Sequence, residues 1–409
     1  MPTVSPQRVI LGVVMGVLAL GWVLLALCFF GVELPRPSHG GGEPIDGSPI
    51  DFAIGERSPL AQPTGTVEGE LANQPQATAT PRNLILFLGD GMGYSHVAAA
   101  RATRRGARQP LLFERLPYSA AITTFSAFSL YTDSAAGATA LASGVAVPPG
   151  HLSVDDRGRP VRTLFEAARE AGKAIGLVTD SYLWDASPAA FVVHRESRRE
   201  YGQILADMAT SGADLLVGES SDHEGTEEAA SVLQRQHRLA ETWSDLEALE
   251  SAEEPAAGLF AAGTIADREQ EPTLAQLTAW AVRRLSRNPA GFFLFVETEE
   301  PDTGSHRHQI DRVLNGIAAL DEAVAEGLEA PADTLVLVTA DHETGGLGIV
   351  GGSADSPLEV AWTSTSHTAE PVPLYAWGPG ASRFTGSLEN TEVARRLADL
   401  FGFELTPSP

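Results

Sequence analysis

The chain has one cysteine, Cys28, and one lysine, Lys173, among its 28 basic residues, the other 27 being arginine. A single cysteine excludes any intramolecular disulfide, whatever the compartment. Because Cys28 lies in the N-terminal apolar run, the rest of the chain has to hold together without covalent cross-links. The shortage of lysine reads as a compositional bias of the genome and not as mechanism. Basic runs are missing too, and the formal net charge is −25. So acidic a surface repels a phosphate backbone, which excludes nucleic acid as a partner. Apolar residues are plentiful, 43% of 409, enough for a sizeable core and too many for a disordered chain.

Val9 to Val32 is an uncharged stretch of 24 residues behind Arg8. A bilayer span needs about 20 apolar residues, whereas the apolar part of a cleavable leader has about 7–15. No small-x-small cleavage site follows, only Glu33-Leu34-Pro35-Arg36, and Leu27 is too bulky for a lipoprotein box at Cys28. Residues 1–32 therefore read as an uncleaved membrane anchor, with a cleaved signal as the alternative. Arg8 and the α-amino group favour a short inner end with the remainder outside, a periplasmic or cell-surface location. Residues 33–82, rich in Pro, Gly, Ser, Thr and Gln, read as a flexible tether. A folded domain is expected over 83–403, followed by a short tail, 404–409.

Within that domain, short apolar runs alternate with amphipathic segments. Strands are predicted at Leu84–Leu88, Ala174–Thr179, Leu215–Val217, Phe292–Val296, Leu335–Val338 and Pro373–Trp377. Helices are predicted at Ser134–Ser143, Thr163–Ala171, Gly202–Ser211, Thr273–Ser286, Gln309–Glu326 and Thr391–Phe401. Strands apolar throughout and separated by helices imply a three-layer α/β/α sandwich with a central, mostly parallel sheet. Ligands of such sheets bind beyond the carboxyl ends of the strands. Asp90, Asp185, Glu297 and Asp341 all fall at or beyond those ends.

Taken singly, the polar motifs are ambiguous. Asp90 in Gly89-Asp90-Gly91-Met92-Gly93 fits a turn as well as a carboxylate on a closely approaching backbone. Asp133 or Ser134, before an alanine-rich run, fits a helix cap, and the serine also fits a hydroxyl aimed at unpaired N–H groups and the positive dipole end. Asp185 and Ser187 could cap a segment or offer two oxygens to one hard cation. Arg198 lies in a charged run that alone suggests a solvated face. Asp302 and His306, four apart, point to one metal if that stretch is helical. Adjacent Asp341 and His342 directly after a buried strand have little structural excuse. His367 adds another imidazole before the last strand.

Their order is specific. The blocks Gly89–Gly93, Asp133-Ser134-Ala135-Ala136-Gly137-Ala138-Thr139-Ala140, Asp185–Ala190, Asp302-x-x-x-His306, Thr339–Gly346 and Ser366-His367-Thr368 resemble the successive signatures of the alkaline phosphatase family, over about Asn83 to Phe403. The resemblance implies a metal-dependent phosphomonoesterase with Ser134 as nucleophile and Arg198 gripping two phosphate oxygens. It implies two zinc ions, one on Asp302, His306 and His367, the other on Asp341, His342 and Asp90. It further implies a magnesium ion on Asp90, Asp185, Ser187 and Glu297, with Ser187 where the family usually has threonine. Small phosphate monoesters are the implied substrates.

Departures from the family pattern matter as well. Thr303 stands where relatives often carry Lys, His or Trp, and Thr298 replaces a usual glycine before Glu299 and Glu300. The intervals Arg198–Glu297 and His342–His367 are short, which implies a reduced accessory crown and, if a homodimer forms, a reduced interface. His39, His96, His151, His194, His223, His237 and His308 fit no ligand position and are expected at the surface. A sulfatase is disfavoured because Ser134 lacks the Cys/Ser-x-Pro-x-Arg context. A phosphodiesterase of the superfamily and a catalytically silent metal- or phosphate-binding surface protein remain the alternatives.

Overall fold

The computed structural model describes residues 80–405 other than 107, 354 and 355. The expected anchor, most of the tether and the end of the tail lie outside the described residues. Among the described residues, no helix is long and apolar enough to cross a membrane.

Central strands form where the chain is apolar on both faces. β1 (Asn83–Gly89), β7 (Phe292–Thr298) and β8 (Thr334–Thr339) are buried along their whole length. With β2 (Tyr118–Thr123), β3 (Ala174–Tyr182), β4 (Leu215–Glu219), β5 (Arg238–Ala240), β6 (Ala256–Phe260), β13 (Val372–Trp377) and β14 (Gly386–Glu389) they make a 10-stranded sheet, ordered β14-β2-β13-β8-β1-β7-β3-β4-β6-β5. Its pairings are parallel except where β13 meets β8 and β2. Between β8 and β13 lie β9 (Glu343–Thr344), the hairpin of β10 (Leu347–Ser353) and β11 (Ser356–Trp362), and β12 (His367–Thr368).

Two helix groups cover the faces of this sheet. The first comprises α1 (Tyr94–Arg104), α8 (Leu274–Leu285), α9 (Glu300–His306) and α10 (Ile310–Leu328); the second comprises α2 (Ser134–Ser143), α3 (Leu164–Glu170), α4 (Ala186–Ala190) and α11 (Asn390–Phe401). α10 buries Val313, Leu314, Ile317, Leu320 and Val324, the three- and four-residue spacing of a one-sided helix. Capping boxes at Thr163–Glu166 and Thr273–Gln276 start α3 and α8. The expected three-layer sandwich is what forms. α5 (Tyr201–Thr210), α6 (Thr226–Gln236) and α7 (Trp243–Ala248) accompany the β4-β6-β5 end of the sheet.

Each predicted strand and helix is present within a few residues. The unpredicted strands are edge or near-edge elements with weak signals: β2 is half-exposed, β5 has 3 residues, and β6 begins Ala-Ala-Gly. Two histidines expected at the surface are buried. His96 accepts the Gly93 N–H at 3.2 Å through Nδ1 and donates to Ser305 Oγ at 2.9 Å through Nε2. His237 donates to the Ala213 carbonyl at 3.0 Å. Both fill polar gaps in the packing, which a count of ligand motifs does not register.

Gly137 lets α2 pass close beneath β8's end, since a Cβ there would lie 2.9 Å from the Asp341 carbonyl oxygen and 3.1 Å from its Cβ. Gly137→Ala should therefore destabilise the protein by about 1–3 kcal/mol. The urea midpoint reads this directly, and an unshifted midpoint would show that α2 can back away at no cost.

Candidate active site

α2 starts at Ser134 because Asp133 caps it. One Asp133 oxygen accepts the Ala136 N–H at 3.0 Å and the other accepts the Gly150 N–H at 2.9 Å. The cap is thus Asp133 and not the serine, whose hydroxyl is left for other work. Ser134 is 5% exposed, with Oγ 3.4 Å from His342 Nε2. The open N–H groups and positive dipole end of α2 arrive at the same point.

His342 is the hub. Thr344 Oγ1 donates to Asp302 Oδ1, so the His342 Nδ1, 3.1 Å from that hydroxyl, carries the imidazole proton. Nε2 keeps its lone pair and lies 3.2 Å from Asp341 Oδ2 and 3.5 Å from Asp90 Oδ1. Those two carboxylate oxygens are buried and without a hydrogen-bond partner. Asp90, Asp341 and His342 offer donor atoms within 4.8 Å of one another, and so do Asp302, His342 and His367.

The sequence expectation joined His306, not His342, to Asp302 and His367. α9 does bring Asp302 and His306 to one face, with His306 Nε2 3.3 Å from Asp302 Oδ2 and 3.2 Å from His367 Nε2. His306 stands at the open rim, 36% exposed, while the His342 and His367 rings stack at 3.7 Å between centroids. His306 Nδ1 donates to the Thr365 carbonyl at 2.6 Å, and His367 Nδ1 to the Thr132 carbonyl at 2.8 Å. Carbonyls only accept, so in the neutral rings each Nε2 presents a lone pair; once protonated, His306 Nε2 donates to Asp302. The two Nε2 atoms face each other at 3.2 Å. That contact is repulsive unless a cation or a proton lies between them, and the outer carbonyls orient both rings as metal ligands are oriented.

The oxygen-only set is looser and, among the described residues, does not close to the same 4.8 Å. Ser187 Oγ donates to Asp90 Oδ2 at 3.2 Å, and Thr179 Oγ1 to Glu297 Oε2 at 2.7 Å. Asp185 caps α4, accepting the Ala186 N–H at 2.7 Å, and takes Arg198 Nη2 at 2.9 Å. Arg198 is 28% exposed, with Nη1 3.8 Å from Asp133 Oδ2, so its guanidinium is fixed at the mouth rather than splayed on a solvated face. The sequence reading gave no role to Thr179 and Ser181, single hydroxyls outside any motif, or to Thr344 within the Thr339–Gly346 block. For Glu299 it offered two readings, a carboxylate that tunes the site or one at the surface.

Electrostatics follow from crowding. Burial pushes Asp90 well above the usual carboxylate range, helped by Asp341, Asp302, Glu297 and Glu299. Burial and then Asp302 carry Asp341 up to about 7, and burial and then Asp185 raise Glu297. Burial also raises Asp302, but the hydrogen bond from His306 and the neighbouring imidazoles bring it below the usual range. His306, bonded to Asp302, is raised to about 9, whereas burial depresses His342 and His367. Unpaired buried oxygens beside imidazole lone pairs fit a metal with mixed nitrogen and oxygen ligands, as zinc takes. Asp90, Asp185, Ser187 and Glu297 supply only oxygens, the choice of magnesium.

Fold and site together are those of a hydrolase acting with divalent metals. A family model described as alkaline phosphatase matches residues 81–219, 208–359 and 355–402, and the chain belongs to that family. It is 28% identical to the alkaline phosphatase of Escherichia coli (strain K12), over 86% of this chain and 91% of that one. It is 30% identical to streptomycin-6-phosphate phosphatase of Streptomyces griseus, over 79% and 91%. The Thermus thermophilus alkaline phosphatase structure superposes with a TM-score of 0.72 at 25% identity, over 85% of this chain and 97% of that one. The chain is a phosphatase of this family.

Asp180, which is no part of the donor sets, is pushed from 3.8 up to about 8 by burial and then by Glu300. Its proton is held in the folded chain at pH values where the unfolded chain has lost it. The stability it contributes is complete below pH 3.8 and is lost as pH rises through about 8. Asp180→Asn should flatten the decline of unfolding free energy over that interval by up to about 1.4 kcal/mol per pH unit, measured by urea titration at a series of pH values.

Proposed function

We propose that the protein hydrolyses phosphate monoesters to an alcohol and inorganic phosphate through a phosphoserine on Ser134. The observation that carries this reading is the buried Ser134 hydroxyl, 3.4 Å from His342 Nε2, beside two donor groups that share His342. Asp302, His306 and His367 would hold one zinc, Asp90, Asp341 and His342 the second, and Asp90, Asp185, Ser187 and Glu297 a magnesium. Bound metals of this kind supply charge neutralisation and Lewis acidity to the attacking and leaving oxygens of an in-line displacement.

This chain's own residues do the rest. Arg198, clamped by Asp185 at 2.9 Å, offers its remaining N–H groups to two phosphate oxygens. The α2 N-terminus favours negative charge on the Ser134 oxygen. The Ser134 hydroxyl gives up its proton to solvent, its oxygen attacks phosphorus as the bond to the ester oxygen breaks, and the departing oxygen takes a proton from water to leave as the alcohol. Water then attacks phosphorus, the bond between phosphorus and Ser134 Oγ breaks, Oγ regains a proton given up by the water, and phosphate leaves. The relatives' names support monoesters, since streptomycin 6-phosphate is one. Attachment through residues 9–32, an extracytoplasmic location and a homodimer with a reduced interface belong to the same proposal.

A chromogenic phosphate monoester should be turned over at alkaline pH by the purified protein. Ser134→Ala should lower kcat by at least about a thousandfold, and chelation should abolish turnover until zinc and magnesium return. Activity indifferent to both would overturn the mechanism, and faster cleavage of a diester than of the monoester would overturn the substrate class.

A further inference from the structure

The run Glu297-Thr298-Glu299-Glu300 carries two carboxylates beyond the expected ligand, and the fold sends them to different places. Glu300 pairs with Arg312 at 2.6 Å and ties α9 to α10. Glu299 is drawn into the site instead. Its Oε1 accepts Thr303 Oγ1 at 2.9 Å, and its Oε2 lies 2.9 Å from Ser181 Oγ. The same Ser181 hydroxyl lies 2.9 Å from Asp185 Oδ2, and Asp185 Oδ1 holds Arg198 at 2.9 Å. The Glu299 backbone N–H is fixed by the buried Asp180 at 2.7 Å. A continuous polar path therefore runs from Thr303, next to Asp302, to the guanidinium at the mouth.

The partners of this carboxylate are hydroxyls, which orient it and bring no counter-charge; burial and then Asp185 raise it to about 8, so it is ionised at alkaline pH. That charge acts on Asp90, Glu297 and His306, one residue from each of the three donor sets. Arg198, the cation at the mouth, is already flanked by Asp185 and Asp133. Thr303 adds a hydroxyl and no positive charge. A phosphate dianion seated against Arg198 would stand in the field of Glu299, and like charges in a partly desolvated pocket repel strongly.

We propose that Glu299 is a further residue of the site whose negative charge weakens the pocket's hold on the phosphate dianion and so eases release of the product. This rests on the phosphatase reading given above. The metal-loaded protein is titrated calorimetrically with inorganic phosphate at alkaline pH, with bound zinc and magnesium quantified for every variant. Glu299→Gln keeps the shape and removes the charge, and it should bind phosphate about fivefold or more tightly, with KM for a monoester falling alongside. Glu299→Asp keeps the charge and should stay near the parent. Thr303→Lys, which sets a cation beside Glu299, should also tighten phosphate, and it decides the matter if Glu299→Gln does not fold. Unchanged or weaker phosphate binding by Glu299→Gln at full metal occupancy would overturn the proposal, as would unchanged binding by Thr303→Lys. Because binding is read apart from turnover, a parent protein that binds phosphate but cleaves no monoester sinks the phosphatase reading and still leaves the charge effect measured.

Discussion

The structure is organised around buried negative charge. Asp90, Glu297, Asp302 and Asp341 are each at most 7% exposed and share one end of one sheet. Moving a carboxylate out of water costs several kcal/mol even after relaxation, and neighbours of the same sign add to the cost. Protonation, hydrogen bonds and cations are the available remedies. Asp341 is held by the Gly91 N–H at 3.3 Å and Asp302 by the Thr344 hydroxyl, yet Asp90 Oδ1 and Asp341 Oδ2 find no donor. Those unmet oxygens, with the His342 Nε2 lone pair within 3.5 Å of both, are the requirement that bound cations would meet.

The sheet makes such crowding tolerable by leaving the chain no room to spread. β1 lies between β7 and β8, and the registers pair Leu88 with both Glu297 and Thr339. Asp90 and Asp341 therefore emerge level, two residues beyond Leu88 and Thr339, with Glu297 two residues lower on the adjacent strand β7. The Asp90 N–H bonds the Thr298 carbonyl at 2.9 Å, which carries the pairing one residue beyond β1. Opposite them, α2 delivers Ser134 and packs close because Gly137 has no side chain. α9 delivers Asp302 and His306 together, and between His342 and His367 the hairpin β10–β11 is nearly all that intervenes.

Much of this was legible from local pattern. The apolar runs at Leu84–Leu88, Phe292–Val296 and Leu335–Val338 announced the central strands because both of their faces are buried. The spacing of Asp302 and His306 suits one metal if the stretch is helical, and α9 supplies that helix. Edge strands were hidden because half-exposed or alanine-rich segments carry little periodicity. His96 was misplaced for a related reason: nothing in Gly93-Tyr94-Ser95-His96 says that the imidazole turns inward to Ser305, a residue far away in the chain.

The sequence by itself determined which chemistry was available: a serine at a helix start, carboxylates and imidazoles beyond strand ends, one arginine among acids, and the order that marks the alkaline phosphatase family. These depend on residue type and short-range spacing, which are local properties. Only the tertiary structure decided which donors share a point. It put His342 between Asp90 and His367, moved His306 to the rim, gave the cap of α2 to Asp133, and parted Glu299 from Glu300. Those outcomes depend on strand register and helix approach, set by packing among segments hundreds of residues apart, and no local pattern encodes them.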